Sequence, residues 1–310
     1  MPGRSWAFTT YRAIWRRLLR YRRFLLKVPG LARANRRAVS KLRAGRLLRI
    51  QVRGFDLVVR GDDLLGREML LHGDWEPFEV DLFASSLRPG MTVVDAGAYT
   101  GYYSLVASRA VGRAGRVLAF EPEPGNFSLL QQNLTKNGAS NVEAHRIALS
   151  NGRGTASLFL SGAANCGKPS LSQLNSLTLL QENLTSDDAT PFVVVKTERL
   201  EQILEERSLD HVDVLKMDVE GAEALVLEGA EPLLSGAYPM RIFMEFWPLG
   251  MTRLGADPTE VLESLGKAGF RLQVIDEESR SLYSVRVEEA LASCESAAPT
   301  HQINLLCSRG

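Results

Sequence analysis

The chain has 310 residues, 45% of them hydrophobic and 24% charged, which excludes a disordered tail, a collagen-like rod and a disulfide-stapled miniprotein. Its net charge of +1 hides an asymmetry: residues 1–53 carry 16 of the 37 Lys and Arg and no Asp or Glu, so the rest is acidic. Three cysteines without CxxC spacing (Cys166, Cys294, Cys307) read as buried or free thiols of a reducing compartment, and no apolar stretch approaches the roughly 18–20 residues that span a bilayer.

Charge places a boundary near Gly54, between a basic arm (1–53) and an acidic body (54–310). Within the arm, Tyr11, Ile14, Trp15, Leu18, Leu25 and Val28 recur at helical spacing, with Arg12, Arg16, Arg20, Arg23 and Lys27 mostly opposite. Arginines interrupt every candidate apolar core of a signal peptide, so a cytoplasmic location is expected. A basic helical arm of this kind packs on the body, touches an anionic membrane through residues 11–28, or meets an acidic partner or nucleic acid.

After Gly54 the runs FDLVV (55–59) and EMLLH (68–72) suggest a short hairpin, and Glu76 to Leu87 a helix with Phe78, Leu82 and Phe83 facing inward. Then follow MTVVDAG (91–97), RVLAFEP (116–122), VEAHRIALS (142–150), VDVLKMDVEG (212–221) and RIFMEFW (241–247), each suited to a buried parallel strand. Helical patterns separate them. In 124–137, Phe127, Leu130 and Leu134 share a face and Gly138 supplies the stop; in 257–269, Asp257, Pro258 and Glu260 form a helix start and Gly269 its end. This alternation predicts a doubly wound, mostly parallel α/β sheet. The runs FRLQVI, SLYSVRV and QINLLC close the sheet, with an antiparallel strand at the edge. Residues 151–195, rich in Gly, Ser, Asn and Thr, read as an inserted acceptor-binding loop.

The chemistry sits in VVDAGAYTGYYSLVASRA (93–110): strand, glycine turn, helix. Gly97 and Gly101 let backbone pass close to a ligand, and helix N-terminal amides face it. The turn lacks the third glycine of a GxGxxG fingerprint and no Walker lysine follows, so dinucleotide and nucleotide-triphosphate folds are disfavoured. Asp95 at the strand end suits a ligand with a positive centre and an ammonium group. Glu121, twenty residues after Gly101, ends the next strand, where a carboxylate can accept both hydroxyls of a ribose. Together these residues point to S-adenosyl-L-methionine. Asp95 with the amides of Gly97, Ala98, Tyr99 and Gly101 would hold its methionine end and Glu121 its ribose, and the adenine would lie near Asn141 or Ala148.

VVDAGAYTGYYS, AFEPEPGNFSLLQQNL and VLKMDVEGAE, in that order, resemble the FkbM family of S-adenosylmethionine-dependent methyltransferases. The resemblance extends to GDWEPFE (73–79) and TERLEQIL (197–204); one departure is Tyr99, where the family usually carries Asn. It implies a Rossmann-like class I methyltransferase sheet and O-methylation of a sugar, glycoside, polyketide or other secondary metabolite, a small-molecule hydroxyl acceptor.

Methyl transfer requires the acceptor oxygen about 3–3.5 Å from the methyl carbon and a group that takes its proton. Asp218 and Glu220 end the fourth strand and Glu245 the fifth. Asp218 is the expected base, with Glu220 or Glu245 orienting the acceptor. No metal is assigned, although three clustered acids would alternatively bind Mg²⁺. Glu220 would alternatively cap the helix after Gly221, and Lys216 would neutralise its acidic neighbours. His145 reads as structural, and His72 and His211 as lesser candidate bases. A non-catalytic S-adenosylmethionine-binding adaptor and an RNA-directed methyltransferase using the basic arm are the alternative functions.

Overall fold

The computed structural model describes residues 46–61, 63–160, 192–297 and 301–310. The helical reading of 11–28, Cys166 and most of the proposed acceptor loop fall outside the described residues. Within them, no helix is long and apolar enough to cross a membrane.

The described chain opens with a hairpin in which Leu47–Val52 (β1) pairs antiparallel with Phe55–Arg60 (β2) across Arg53–Gly54. The charge boundary at Gly54 therefore falls inside one hairpin, and residues 47–52 are strand rather than helical arm. Ile50 and Val52 are buried while Arg49 and Gln51 stay exposed, the alternation of a half-buried strand. EMLLH is not the second strand: it closes the helix Leu64–His72 (α1), which Asp63 starts by accepting the Gly66 N–H at 2.6 Å. A short apolar run fits either period, and the N-cap residue decides here. Pro77–Ser86 (α2) follows as predicted, with Val80 and Phe83 buried.

Next come Thr92–Ala96 (β3), Tyr102–Val111 (α3), Arg116–Phe120 (β4), Pro124–Lys136 (α4) and Val142–His145 (β5). VEAHRIALS then breaks. Its second half, Ala148–Leu149 (β6), leaves the main sheet to pair with Phe192–Glu198 (β8), which also pairs with Gly154–Phe159 (β7). After Leu200–Glu205 (α5), Val214–Met217 (β9) returns to the main sheet, followed by Glu223–Glu228 (α6), Glu231–Ser235 (α7) and Met240–Phe246 (β10). Pro248–Arg253 (α8), Pro258–Lys267 (α9), Arg271–Asp276 (β11), Ser281–Ser284 (β12), Val287–Ser296 (α10) and Ile303–Arg309 (β13) complete the described chain.

The main sheet runs β12-β11-β13-β10-β9-β3-β4-β5. Strands β5, β4, β3, β9 and β10 are parallel, and β13 is antiparallel to both β10 and β11. An antiparallel strand does lie at the edge, since β12 pairs antiparallel with β11; β13 adds a second one inside the sheet. Val94, Leu118, Leu215 and Ile242 pack on one face, and Val93, Val117, Val214 and Phe243 on the other. Both faces are buried, and this is why the strands read as continuous apolar runs. Cys294 and Cys307 are buried free thiols.

Candidate functional site

The carboxyl ends of β3, β4, β9 and β10 meet over a cavity of about 360 Å³. Asp95 and Glu121 line this same cavity, with Gly97, Ala98, Tyr99 and Ala148. Asp95 is 1% exposed and accepts the Ser104 hydroxyl at 2.5 Å. Burial pushes its carboxyl up to about 6, against the pull of that hydrogen bond. Glu121 is also buried. Its Oε2 accepts the Tyr99 N–H at 2.9 Å and its Oε1 the Glu123 N–H at 2.9 Å, yet burial still raises it to about 7.

The two glycines serve packing as much as a ligand. Gly97 has φ +81°, and a Cβ there would lie 1.9 Å from the carbonyl oxygen of Asp218, so the tips of β3 and β9 close against each other. Gly101 (φ +88°) does not line the cavity; a Cβ there would meet Leu130 of α4 at 2.6 Å. Tyr99 holds a left-handed conformation (φ +50°), which a non-glycine residue adopts at a cost. Its hydroxyl donates to the Asp63 carboxylate, so its ring forms a wall of the cavity rather than a plug.

Asn141 departs from its expected place. It precedes β5, at the amino end of a parallel strand and hence on the opposite rim from the cavity. There its amide donates to Ser108 O at 3.1 Å and Gly112 O at 2.8 Å, closing the end of α3. Ala148 lines the cavity, together with Phe120, Ile147, Leu149 and Leu158.

Asp218, Glu220 and Glu245 line the same cavity, with one carboxylate oxygen from each lying within 4.8 Å of the others. That spacing admits an acceptor hydroxyl or one divalent cation. Gln302 donates to Glu245 Oε1 at 2.5 Å. Ala222, the N-cap residue of α6, offers no side-chain cap, and Glu223 accepts the Gly221 N–H at 3.1 Å. Lys216 is 3% exposed and ion-paired at 3.0 Å with Glu79, itself 1% exposed. Burial works against its charge, but Glu79, Asp218 and Glu76 hold it above the ordinary lysine value. Neither His72, paired with Glu68, nor His211, beside Asp210, lines the cavity, and His145 stacks on Phe120.

Sequence patterns did not assign Glu76, which also lines the cavity. It occupies the N-cap of α2 with φ +41° and makes no capping bond; Glu277 caps the helix instead, accepting the Phe78 and Glu79 N–H groups at 3.0 and 3.1 Å. Freed from that role, its carboxylate meets Tyr103 OH at 3.4 Å and Asn304 Nδ2 at 3.3 Å. Burial, reinforced by Glu79, lifts it to about 8.

Three buried acids and the half-buried Glu76 thus sit above their unfolded values: Asp95 to about 6, Glu121 to about 7, Glu76 and Glu223 to about 8. A raised carboxyl makes the folded state bind more protons than the unfolded one. The stability it contributes is full below about pH 4 and is lost as pH rises through 6–8. Scanning calorimetry of the ligand-free protein is expected to show Tm falling by roughly 5–10 °C between pH 5.5 and 8.5. A flat or rising Tm contradicts this.

A doubly wound sheet with an internal antiparallel strand next to β10, and acids at the tips of β3 and β4 over one cavity, defines the class I methyltransferase fold. The family model for the methyltransferase FkbM domain matches residues 95–272. The chain belongs to the FkbM methyltransferase family. It is 33% identical over 166 residues to Methyltransferase 1 of Beauveria bassiana (strain ARSEF 2860), covering 51% of this chain and 62% of that protein. It is 35% identical over 158 residues to Methyltransferase sdnD of Sordaria araneosa, covering 45% and 60%. The aligned region thus spans about three fifths of these curated relatives. Among solved structures, an FkbM methyltransferase from Methylobacillus flagellatus KT aligns at TM-score 0.41 and 14% identity, over 78% of this chain and 52% of that one.

Proposed function

We propose that the chain is an S-adenosyl-L-methionine-dependent O-methyltransferase acting on a hydroxyl of a sugar, glycoside, polyketide or other secondary metabolite. The observation that supports this reading is one cavity lined both by Asp95 and Glu121 and by the Asp218–Glu220–Glu245 group. The donor set fits the cofactor. Phe120, Ile147, Ala148, Leu149 and Leu158 offer an apolar slot for the adenine, Glu121 an acceptor for the ribose, and Asp95 a carboxylate for the ammonium. When bound, the cofactor supplies an electrophilic methyl group.

The chain's own residues do the rest. Asp218 accepts the proton of the acceptor hydroxyl as the oxygen–carbon bond forms, while Glu220 and Glu245 orient the acceptor, the latter steadied by Gln302. Leu158 of β7 brings the 151–195 segment to the cavity wall.

The test is transfer of a radiolabelled methyl group to a panel of glycosides and polyketides. Asp218→Asn is expected to keep affinity for S-adenosylhomocysteine within about twofold and to lower turnover by roughly 10²–10⁴. Loss of affinity equal to the loss of turnover would reassign Asp218 to cofactor binding.

A further inference from the structure

Six acids line the cavity, Glu76, Asp95, Glu121, Asp218, Glu220 and Glu245, against two cations, Lys216 and Arg67. Lys216 is buried and committed to Glu79 at 3.0 Å. Arg67, in the first turn of α1, is half-buried and so keeps contact with solvent. Its backbone N–H donates to Asp63 O at 3.1 Å, but its guanidinium makes no hydrogen bond or ion pair among the described residues. A guanidinium carries five N–H donors and does not shed its charge. Left unpaired on a cavity wall, it marks where an anionic group of a ligand belongs.

The glycine turn does not meet that need. The N–H groups of Gly97 and Ala98 both donate to Phe120 O at 2.9 Å, that of Tyr99 to Glu121 Oε2 at 2.9 Å, and that of Gly101 to Ala98 O at 2.7 Å. These amides, which the sequence suggests would face a ligand, are consumed inside the protein. A carboxylate entering this space is repelled by the acids around it, and the uncommitted charge that offsets the repulsion is Arg67.

We propose that the Arg67 guanidinium binds a carboxylate of a ligand in this cavity, through the paired N–H···O contacts that the two planar groups share. The proposal rests on the methyltransferase reading above. Two ligands bring that group: an acidic acceptor, such as a glucuronide, and the methionine end of the S-adenosyl cofactor. The surroundings favour the acceptor. Leu64, three residues away on the same face of α1, is 41% exposed, and Trp75 lines the same cavity, so this wall opens to solvent and offers an aromatic ring to a sugar. The acceptor class then narrows to glycosides or polyketides that carry a free acid.

Two calorimetric pairs test it. The protein saturated with S-adenosylhomocysteine is titrated with phenyl glucuronide and phenyl glucoside, which differ in one carboxylate. The free protein is titrated with S-adenosylhomocysteine and its decarboxylated analogue. In the unaltered protein the acid of the responsible pair should bind about tenfold tighter than its neutral partner or more. Arg67→Gln should erase that preference, and Arg67→Lys should restore part of it, because lysine keeps the charge but loses the fork. Equal binding of the neutral partner by all three proteins shows the site intact. Erasure in the glucuronide pair assigns the acceptor as the source, and erasure in the cofactor pair assigns the methionine carboxylate. If no acid preference exists, or Arg67→Gln leaves both preferences as they were, Arg67 binds no carboxylate and the proposal is wrong while the methyltransferase reading stands. If the unaltered protein does not bind S-adenosylhomocysteine, the two fall together.

Discussion

Replacing Lys216 by methionine should lower the unfolding free energy by about 3–5 kcal/mol, the loss expected when one partner of a buried ion pair is removed. Methionine nearly fills the lysine volume, so a void contributes little. The cost comes from Glu79, left without its cation at 1% exposure beside Glu76. Asn304 Nδ2 still donates to Glu79 at 2.5 Å, which satisfies a lone pair but not a charge. The double variant Lys216→Met/Glu79→Gln removes the stranded charge and should recover a large part of the loss. Urea unfolding of both variants measures this; a single-variant loss under about 1 kcal/mol would mean the pair carries little of the site's architecture.

A methyl group at Gly97 is the second large effect. Gly97→Ala puts a Cβ 1.9 Å from Asp218 O and 2.8 Å from its carbonyl carbon, at a φ of +81° that disfavours alanine on its own. Both obstacles are backbone, so no rotamer change relieves them, and the tips of β3 and β9 must separate. Asp218 N donates to Ala96 O at 3.0 Å across that seam. We expect a loss of about 3 kcal/mol or more together with at least tenfold weaker binding of S-adenosylhomocysteine. Gly152→Ala, where nothing lies within 4 Å of the added Cβ, is the control and should stay near neutral. A Gly97→Ala variant as stable as that control would contradict the close approach.

The contrast between these residues shows what sequence could carry. Asp95, Glu121, Asp218 and Glu245 were legible because each closes an apolar run of strand length, and parallel strands in an open sheet point their carboxyl ends at the ligand. Asn141 was misplaced although its strand was found: it stands before the run, on the other rim. Strand β1 was hidden because Arg46, Arg49 and Arg53 gave the segment the composition of the basic arm, masking the alternation of Ile50 and Val52. EMLLH was ambiguous between two periods. The Glu79–Lys216 pair and the hydrogen bond from Asn304 to Glu79 join residues far apart in the chain, the latter 225 positions, and no local pattern announces such contacts. Nor does any announce the remote capping of α2 by Glu277 that frees Glu76 for the cavity.

The most direct test of the account is isothermal titration of S-adenosylhomocysteine into the unaltered protein, Asp95→Ala and Glu121→Ala. Binding by the first, with affinity reduced by roughly a hundredfold in each variant, is the predicted result. Equal affinity in all three would contradict the placement of the cofactor between these two strand ends.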